Sequence, residues 1–306
     1  MKFCFTMLWI CFLHTQALGF TIATGSGEGT YFKIAQDIKR VAEKEGIPIE
    51  VIQTGGSFDN INLLGTGKVD LAIMQLDVLR FVTEVLFKET GRNVLKEAKV
   101  ALNLYLEEIH IITKDPEIRT VRELQGKRVA VGPEKSGSAL TAEVLLAGLG
   151  VTVTPVFDLP ETAVKKLDRG EIDALIFIGG APVPAFRNLD RSFRFVALPA
   201  GTGLEQIYPK KKIAKSVYAW ADEVDTHAVP SVVMTRNRTD ENYVAGLQRL
   251  VLVILTQKEH LDASGHPKWK DSFVRSIQEN IGYAPAVEII QLYNDLDRIG
   301  YRIIKK

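Results

Sequence analysis

The sequence predicts an α/β fold of two lobes, each built on an open, mostly parallel sheet, with a ligand cleft between them. Three observations predict it. A strand, a glycine-rich loop and a helix follow one another near the start of the chain, and the same grammar returns from Arg128. The joints "LGTGKVDLAIM" (64–74) and "LDRGEIDALIF" (167–177) share Leu-x-x-Gly-x-Val/Ile-Asp ahead of an apolar run, which points to two copies of one supersecondary plan. Two long apolar-rich segments, "LNLYLEEIHIITKD" and "DTHAVPSVVMTRN", suit strands that cross from one lobe to the other and back.

The elements follow in order. "GFTIATG" alternates β-formers and stops at glycine, and "TYFKIAQDIKRVAEKEG" places Phe32, Ile34, Ala35, Ile38 and Val41 on one helical stripe that ends at Gly46. "IPIEVIQT" reads as a second strand, "SFDNINLLGTG" as a helix opening at Ser57, and "VDLAIM" as a buried third strand, completing βαβαβ. In the second copy a strand covers Arg128 to Val131, and a Gly/Ser-rich loop leads to a helix ending near Gly148 to Gly150. "GTGLEQIYPKKKIAKSVYAWADEV" has no clean period and is expected to drape over the second lobe near the hinge. Helices are expected around Glu241 to Leu255 and Ala286 to Ile299. With two crossings the first lobe is discontinuous: residues 20–106 plus 228–306 form lobe I and 107–227 form lobe II.

Composition bounds the function. The 306 residues are 46% hydrophobic and 25% charged, enough for two modest cores, and 38 basic side chains against 37 acidic ones give a net charge of +1. That balance lacks the basic field of a nucleic-acid binder. Residues 1–19 read as a secretory signal peptide: Lys2 precedes an apolar stretch from Phe3 to Leu13, and Ala17 and Gly19 lie near a plausible cut. An N-terminal membrane anchor is the alternative. No later segment approaches the roughly 20 apolar residues of a spanning helix, so no membrane span is expected after cleavage. Cys4 and Cys11 both lie in the leader, and the bulky residues before Cys11 make a poor lipid-attachment box.

Several chemistries are excluded by spacing. In "TIATGSGEGTYFKIAQDI" a P-loop would need Gly-Lys-Ser/Thr, whereas Gly29 is followed by Thr30 and Tyr31. A dinucleotide fingerprint would need glycine where Thr30 follows Gly25 and Gly27, so that reading is weak. Ser26, Ser136 and Ser138 sit on strand-to-helix turns but not in a Gly-x-Ser-x-Gly elbow. His110, His227, His260 and His266 show no metal-ligand spacing. Neither a metal nor a cofactor is therefore expected. Asp70 and Asp173 each open a strand and read as turn formers rather than an acid/base pair. What remains is three glycine-rich loops that run into helices: "TGSGEGTY", "TGGSFDN" and "GPEKSGSA". Such loops present backbone N–H groups backed by the positive end of a helix dipole, and Ser26, Thr30, Ser57, Ser136 and Ser138 add hydroxyl donors. A small carboxylate suits them best, although each hydroxyl can instead be a helix cap.

The segments "ATGSGEGTYFKIA", "GSFDNINLLGTGKVDLAIMQLD", "YLEEIHIIT", "LQGKRVAVGPEKSGSALTAEVLLAGLG", "GEIDALIFIGGAPVPAF" and "DEVDTHAVPSVVMTR" together resemble the TAXI-type solute-binding proteins of tripartite ATP-independent periplasmic (TRAP) transporters. They cover most of residues 20–236. The resemblance implies a two-lobed, periplasmic-binding-protein-like receptor, located in the periplasm, that closes about a hinge on a glutamate- or 2-oxoglutarate-like ligand and delivers it to TRAP permease subunits. Carried over by position, Ser26, Thr30, Tyr31, Ser57, Gln75, Ser136, Gly137, Ser138 and the stretch from Gly179 to Pro182 would line the cleft, with Arg187 and Lys135 as candidate partners for a second carboxylate. Two departures stand out: Glu28 occupies a position where a small residue is expected, and Glu107 replaces a proline before His110's strand continues. An enzyme on the same scaffold and a ligand-sensing module are the alternative readings.

Overall fold

The computed structural model describes residues 19–90, 98–198, 201, 203–236, 238–277 and 304–305. The expected leader apart from Gly19, and the helix expected at 286–299, lie outside the described residues. The first βαβαβ unit consists of β1 (Phe20–Ala23), α1 (Thr30–Lys44), β2 (Ile49–Ile52), α2 (Ser57–Gly65) and β3 (Leu71–Gln75). Helix α3 (Leu76–Thr90) follows directly, and β4 (Ala98–Thr113) is a 16-residue strand buried along most of its length. The second unit is β5 (Arg128–Ala130), α4 (Gly137–Gly148), β6 (Thr154–Val156), α5 (Pro160–Asp168) and β7 (Ala174–Gly179). After the short strands β8 (Arg194–Phe195) and β9 (Lys210–Ile213) comes β10 (Val224–Arg236), then α6 (Glu241–Thr256) and α7 (Lys258–Ser264). A two-residue pair, β11 (Ser276–Ile277) with β12 (Ile304–Lys305), stands apart.

The main sheet runs β2-β1-β3-β10-β4-β7-β5-β6, with β8 and β9 beside β4 and β10. Its two ends have the same plan. In each, the first strand of the βαβαβ unit lies between the second and third, all parallel. The expected crossings are β4 and β10, which pair antiparallel with each other and with the inner strand of each wing. The two parallel sheets are therefore wings of one continuous mixed sheet.

The repeated aspartates explain why the two wings match. Asp70 Oδ2 accepts from the Thr21 amide at 2.9 Å and hydroxyl at 3.0 Å, tying the start of β3 to β1. Asp173 accepts from the Arg128 amide at 2.8 Å and pairs with its guanidinium at 2.9 Å, tying β7 to β5 in the same way. Each also donates its own amide to the residue it binds. Both aspartates are structural, as their place at a strand start predicts.

Helices cover both faces of the sheet, so its strands carry apolar side chains on both sides. Phe20, Ile34, Ile38, Leu247 and Trp269 pack α1 and α6 against one wing, and Val129, Leu145 and Ile176 belong to the core of the other. On the predicted α1 stripe Phe32 is half-buried and the other four residues are buried. The aperiodic stretch around residues 201–224 does drape over β7 and its following turn. Tyr218 and Trp220 stack with Phe195, and the Trp220 indole donates to the Phe186 carbonyl at 2.6 Å. Part of it forms β9, a strand that its lysine-rich, largely exposed sequence conceals and that pairs antiparallel with the start of β10.

The middle of β4 holds a charge that only tertiary structure balances. Glu108 is buried and Lys268, between α7 and the chain's last described residues, reaches it at 2.5 Å; the side chains are 4% and 1% exposed. The Ala181 amide donates to the same carboxylate at 2.8 Å. Removing one partner of a buried pair leaves an uncompensated charge, whereas replacing both with apolar or neutral groups often costs little. Lys268→Ala should thus lower stability at pH 7 by roughly 3 kcal/mol, and Glu108→Gln combined with Lys268→Met should recover most of that loss. Denaturant titration of the two variants checks this; equal losses in both would show that the pair does not act as a unit.

Candidate functional site

The carboxyl ends of β1, β2, β3, β5 and β7 open onto one cavity of about 270 Å3 between the two wings. This is the place where open α/β sheets present their loops. The wall is made from the three glycine-rich loops, from the end of β7 with Gly179 and Gly180, and from Tyr105 and Glu107 of β4. Helix α1 starts after Gly29 and α2 after Gly56, and neither glycine supplies a side-chain cap to the first-turn amides. Gly56 adopts φ 109°, a conformation that glycine takes without strain. The N-terminus of α1 therefore reaches the cavity without a capping side chain, whereas at α2 the Asp59 carboxylate of the first turn takes the Gly55 amide at 2.8 Å and Thr54 Oγ1 takes the Gly56 amide at 3.0 Å.

Nine of the ten predicted residues line this cavity: Ser26, Thr30, Tyr31, Ser57, Gln75, Ser136, Gly137, Ser138 and Gly179. Pro182 does not, although Gly180 and Val183 on either side do. Arg187 and Lys135 are exposed and lie off the wall, because each belongs to a turn directed to solvent. Neither supplies the cation expected for a second carboxylate. Glu28 lies at the rim, where its exposed carboxylate pairs with Lys33 at 3.1 Å.

Within the wall the hydroxyls divide by role. Ser136 caps α4, accepting from the Ala139 amide at 3.2 Å. Ser138 both donates to the Ile178 carbonyl and accepts from its amide, each at 3.1 Å, which fastens α4 to β7. Ser138 is thereby structural, whereas Ser136 only accepts and keeps its own proton to donate. Ser57 Oγ accepts from the Gln75 amide at 3.1 Å, which leaves its own proton to donate. Thr30 Oγ1 stands 3.5 Å from the Gly180 carbonyl across the cavity. The Gln75 side chain is also a cross-cavity contact. A Cβ added to Gly137 would stand 1.6 Å from its Oε1 and 3.1 Å from Ser57 Oγ, so glycine at 137 permits the wings to approach this closely.

The residue that sequence reasoning did not place in the site is Glu107. It is 4% exposed, and it accepts from the Tyr31 hydroxyl at 2.6 Å and, at 3.4 Å, from the Gln75 amide nitrogen. Burial pushes its carboxyl up to about 8, with the Tyr31 hydrogen bond opposing and the Asp77 and Glu108 carboxylates adding to the rise. Burial and Glu107 together hold the Tyr31 phenol well above its ordinary range, so it remains a donor. The clue in the sequence is the dipeptide Glu107-Glu108 inside an otherwise apolar strand. Two further polar atoms on this wall, Gln75 Oε1 and the Tyr105 hydroxyl, are buried without a hydrogen bond of ordinary geometry.

His110, two turns of the pleat further along β4, is a satisfied buried group. Its Nδ1 faces the Glu108 carbonyl at 2.9 Å and its Nε2 faces the Tyr218 hydroxyl at 3.0 Å. The carbonyl requires a proton on Nδ1, so Nε2 accepts from tyrosine, and burial lowers the imidazole to about 3. Tyr218 in turn accepts from the Val183 amide at 2.7 Å, which anchors the turn that follows β7. Among the described residues no cluster of histidine, cysteine and carboxylates could hold a metal, and no helix is long and apolar enough to cross a membrane.

A family model described as NMT1-like matches residues 22–270, which takes in both wings and every wall residue. The chain belongs to the NMT1-like family. This NMT1-like protein also shares its fold with solved structures. One, described as a periplasmic transporter, aligns with a TM-score of 0.55 at 14% identity, covering 95% of this chain and 98% of the other. Another, the substrate-binding protein of an amino acid ABC transporter, aligns with a TM-score of 0.50 at 14% identity, covering 80% of this chain and 98% of the other. The architecture is thus the periplasmic-binding-protein-like α/β fold that the sequence predicts.

Glu107 makes the stability of the NMT1-like chain depend on pH. Between about 4.5, where a free glutamate carboxyl titrates, and about 8, the folded protein holds a proton that the unfolded chain has released. Stability therefore falls as pH rises through that window, by on the order of 5 kcal/mol in all. Glu107→Gln keeps the shape and removes the titration. Its melting temperature should match wild type near pH 5 and exceed it at pH 8 and above; a constant difference across pH would contradict the assignment.

Proposed function

We propose that this protein is an extracytoplasmic solute receptor that binds a small carboxylate between its two wings and hands it to a membrane permease. The observation that carries this reading is the convergence of helix N-termini and glycine-rich loops from both wings on one cavity. An anion there gains oriented backbone donors without needing a charged side chain. Lobe I comprises residues 20–106 with 228–306, and lobe II comprises 107–227, so β4 and β10 form the hinge, with Glu107 at one boundary and His227 at the other. The ligand closes the lobes by favouring the closed state over the open one. The wall residues Ser26, Thr30, Tyr31, Ser57, Gln75 and Gly137 are the binding set, and Ser136 and Ser138 hold it in place.

The finer identity rests on the resemblance of the sequence to TAXI-type receptors. On that basis the partner is a TRAP permease, the location is the periplasm after removal of the leader, and the ligands to try first are glutamate and 2-oxoglutarate. The solved relatives support the receptor class, since one is titled a periplasmic transporter and the other the binding protein of an amino acid ABC transporter.

A thermal-shift screen of the refolded mature chain tests the reading. Free ligand at about 100 times the dissociation constant should stabilise the protein by roughly 2.7 kcal/mol, a readily visible rise in melting temperature. A selective rise with small carboxylates is expected; no response to any of them, with a rise for sugars alone, would overturn it. Gly137→Ala places a methyl group where Gln75 Oε1 lies, and it should weaken binding of whichever carboxylate responds by at least about tenfold while the unliganded protein still folds.

A further inference from the structure

The charge of the cavity wall does not suit a dianion. Its ionisable side chains are Glu28, Glu107 and Glu161 with two tyrosines, and among the described residues that line it there is no lysine, arginine or histidine. Glu28 is engaged by Lys33 at the rim and Glu161 is exposed, which leaves Glu107 as the buried carboxylate facing the ligand. Glu107 and Tyr105 are two apart on β4 and so point to the same side, and both line the cavity. Three acceptor positions meet there. The Glu107 oxygens carry only two donors, Tyr31 and a distant Gln75 nitrogen, so lone pairs remain free. Gln75 Oε1 is buried without a partner, and the Tyr105 hydroxyl is buried without a hydrogen bond of ordinary geometry, Ser231 and Thr30 being its polar neighbours. Leaving such atoms unmatched costs stability, and a ligand bearing N–H groups would satisfy them. The aromatic side chains of Tyr31 and Phe177 lie on the same wall, and the Tyr105 ring already has Lys268 Nζ 5.9 Å from its centroid.

We propose that Glu107 receives a protonated amine, so that the cleft selects a small zwitterion with one carboxylate at the N-termini of α1 and α2 and its ammonium group at Glu107, Gln75 and Tyr105, and rejects dicarboxylates that lack an amine. This rests on the receptor reading above and narrows its ligand class. It makes Glu107 the residue that sets specificity, at a position where the sequence departs from the receptors it resembles.

The proton inventory gives a second readout. The titratable and charged groups facing Glu107 are Tyr31 from α1, Asp77 from α3, Tyr105 and Glu108 from its own strand, and Lys268 from beyond α7. Tyr31 and Tyr105 stay protonated through neutral pH, both held well above their ordinary range. An ammonium group bound at Glu107 requires the carboxylate, so binding near pH 7 releases a proton and affinity rises by about tenfold per pH unit up to about pH 8. A neutral Glu107 that donated to a ligand carboxylate would produce the opposite slope.

The experiment is calorimetry and thermal shift on the refolded mature chain and on Glu107→Gln, with L-alanine, L-serine and L-glutamine set against pyruvate, succinate and 2-oxoglutarate. At least one of the amino acids should bind, its affinity should rise from pH 6 to pH 8, and Glu107→Gln should weaken it by about thirtyfold or more and abolish the slope. Tyr31→Phe, which keeps the ring and removes one donor to Glu107, serves as a second variant and should weaken binding less. A response confined to the acids without an amine, or one that Glu107→Gln leaves unchanged or strengthens, overturns this inference and leaves the receptor reading standing. No response to any of the six overturns this inference, and the receptor reading falls with it if sugars alone raise the melting temperature.

Discussion

The antiparallel pairing of β4 with β10 is the constraint on which the rest of the molecule depends. Neither βαβαβ wing touches the other through its own parallel strands; each adds to one side of this two-strand ribbon, β3 to β10 and β7 to β4. Because the ribbon is long and buried, it fixes the angle at which the two sets of loops face each other, and the cavity is what lies between them. The polar contacts that cross from wing to wing are set by the same geometry. Asp77 at the start of α3 accepts from Thr141 of α4 at 2.7 Å and from Tyr208 at 3.0 Å, and burial raises its carboxyl.

The ribbon also carries two buried carboxylate side chains, adjacent in sequence and handled in opposite ways. Glu108 is neutralised by a lysine brought from the C-terminal part of the chain and by a backbone amide. Glu107 meets a phenol and an amide, both neutral, and its carboxyl is displaced upward by burial. One is a completed structural pair and the other an unfinished one. An unfinished buried carboxyl beside a cavity is the arrangement from which ligand recognition is commonly built.

Much of this architecture is legible in the sequence, and the reason is local. Strand, glycine loop and helix are short-range patterns, and the duplicated Leu-x-x-Gly-x-Val/Ile-Asp joint reports a hydrogen bond, aspartate to the first strand, that both copies need. Nine of the ten residues expected from those loops and from the resemblance lie on the wall. Glu107 did not, because its importance arises from which face of β4 it occupies and from Tyr31, 76 residues away. The Lys268 partner of Glu108 was hidden for the same reason, whereas β9 was hidden by its lysine-rich composition. Arg187 and Lys135 show the converse error: proximity in sequence to a wall residue does not place a long side chain on the wall.

Pro230 lies within β10, opposite Leu106, and the β4–β10 register slips by one residue between Pro230 and Val232. Proline brings no amide hydrogen to the ladder, and a bulge leaves a residue unpaired. The ladder is thus interrupted beside Glu107, which faces Val229, and slips again between Val233 and Met234. A sheet creases where its stitching is sparsest. Bending of the ribbon would accordingly be concentrated next to the buried carboxyl, so the chemical state of that single side chain and the mechanical state of the whole molecule are read at the same point.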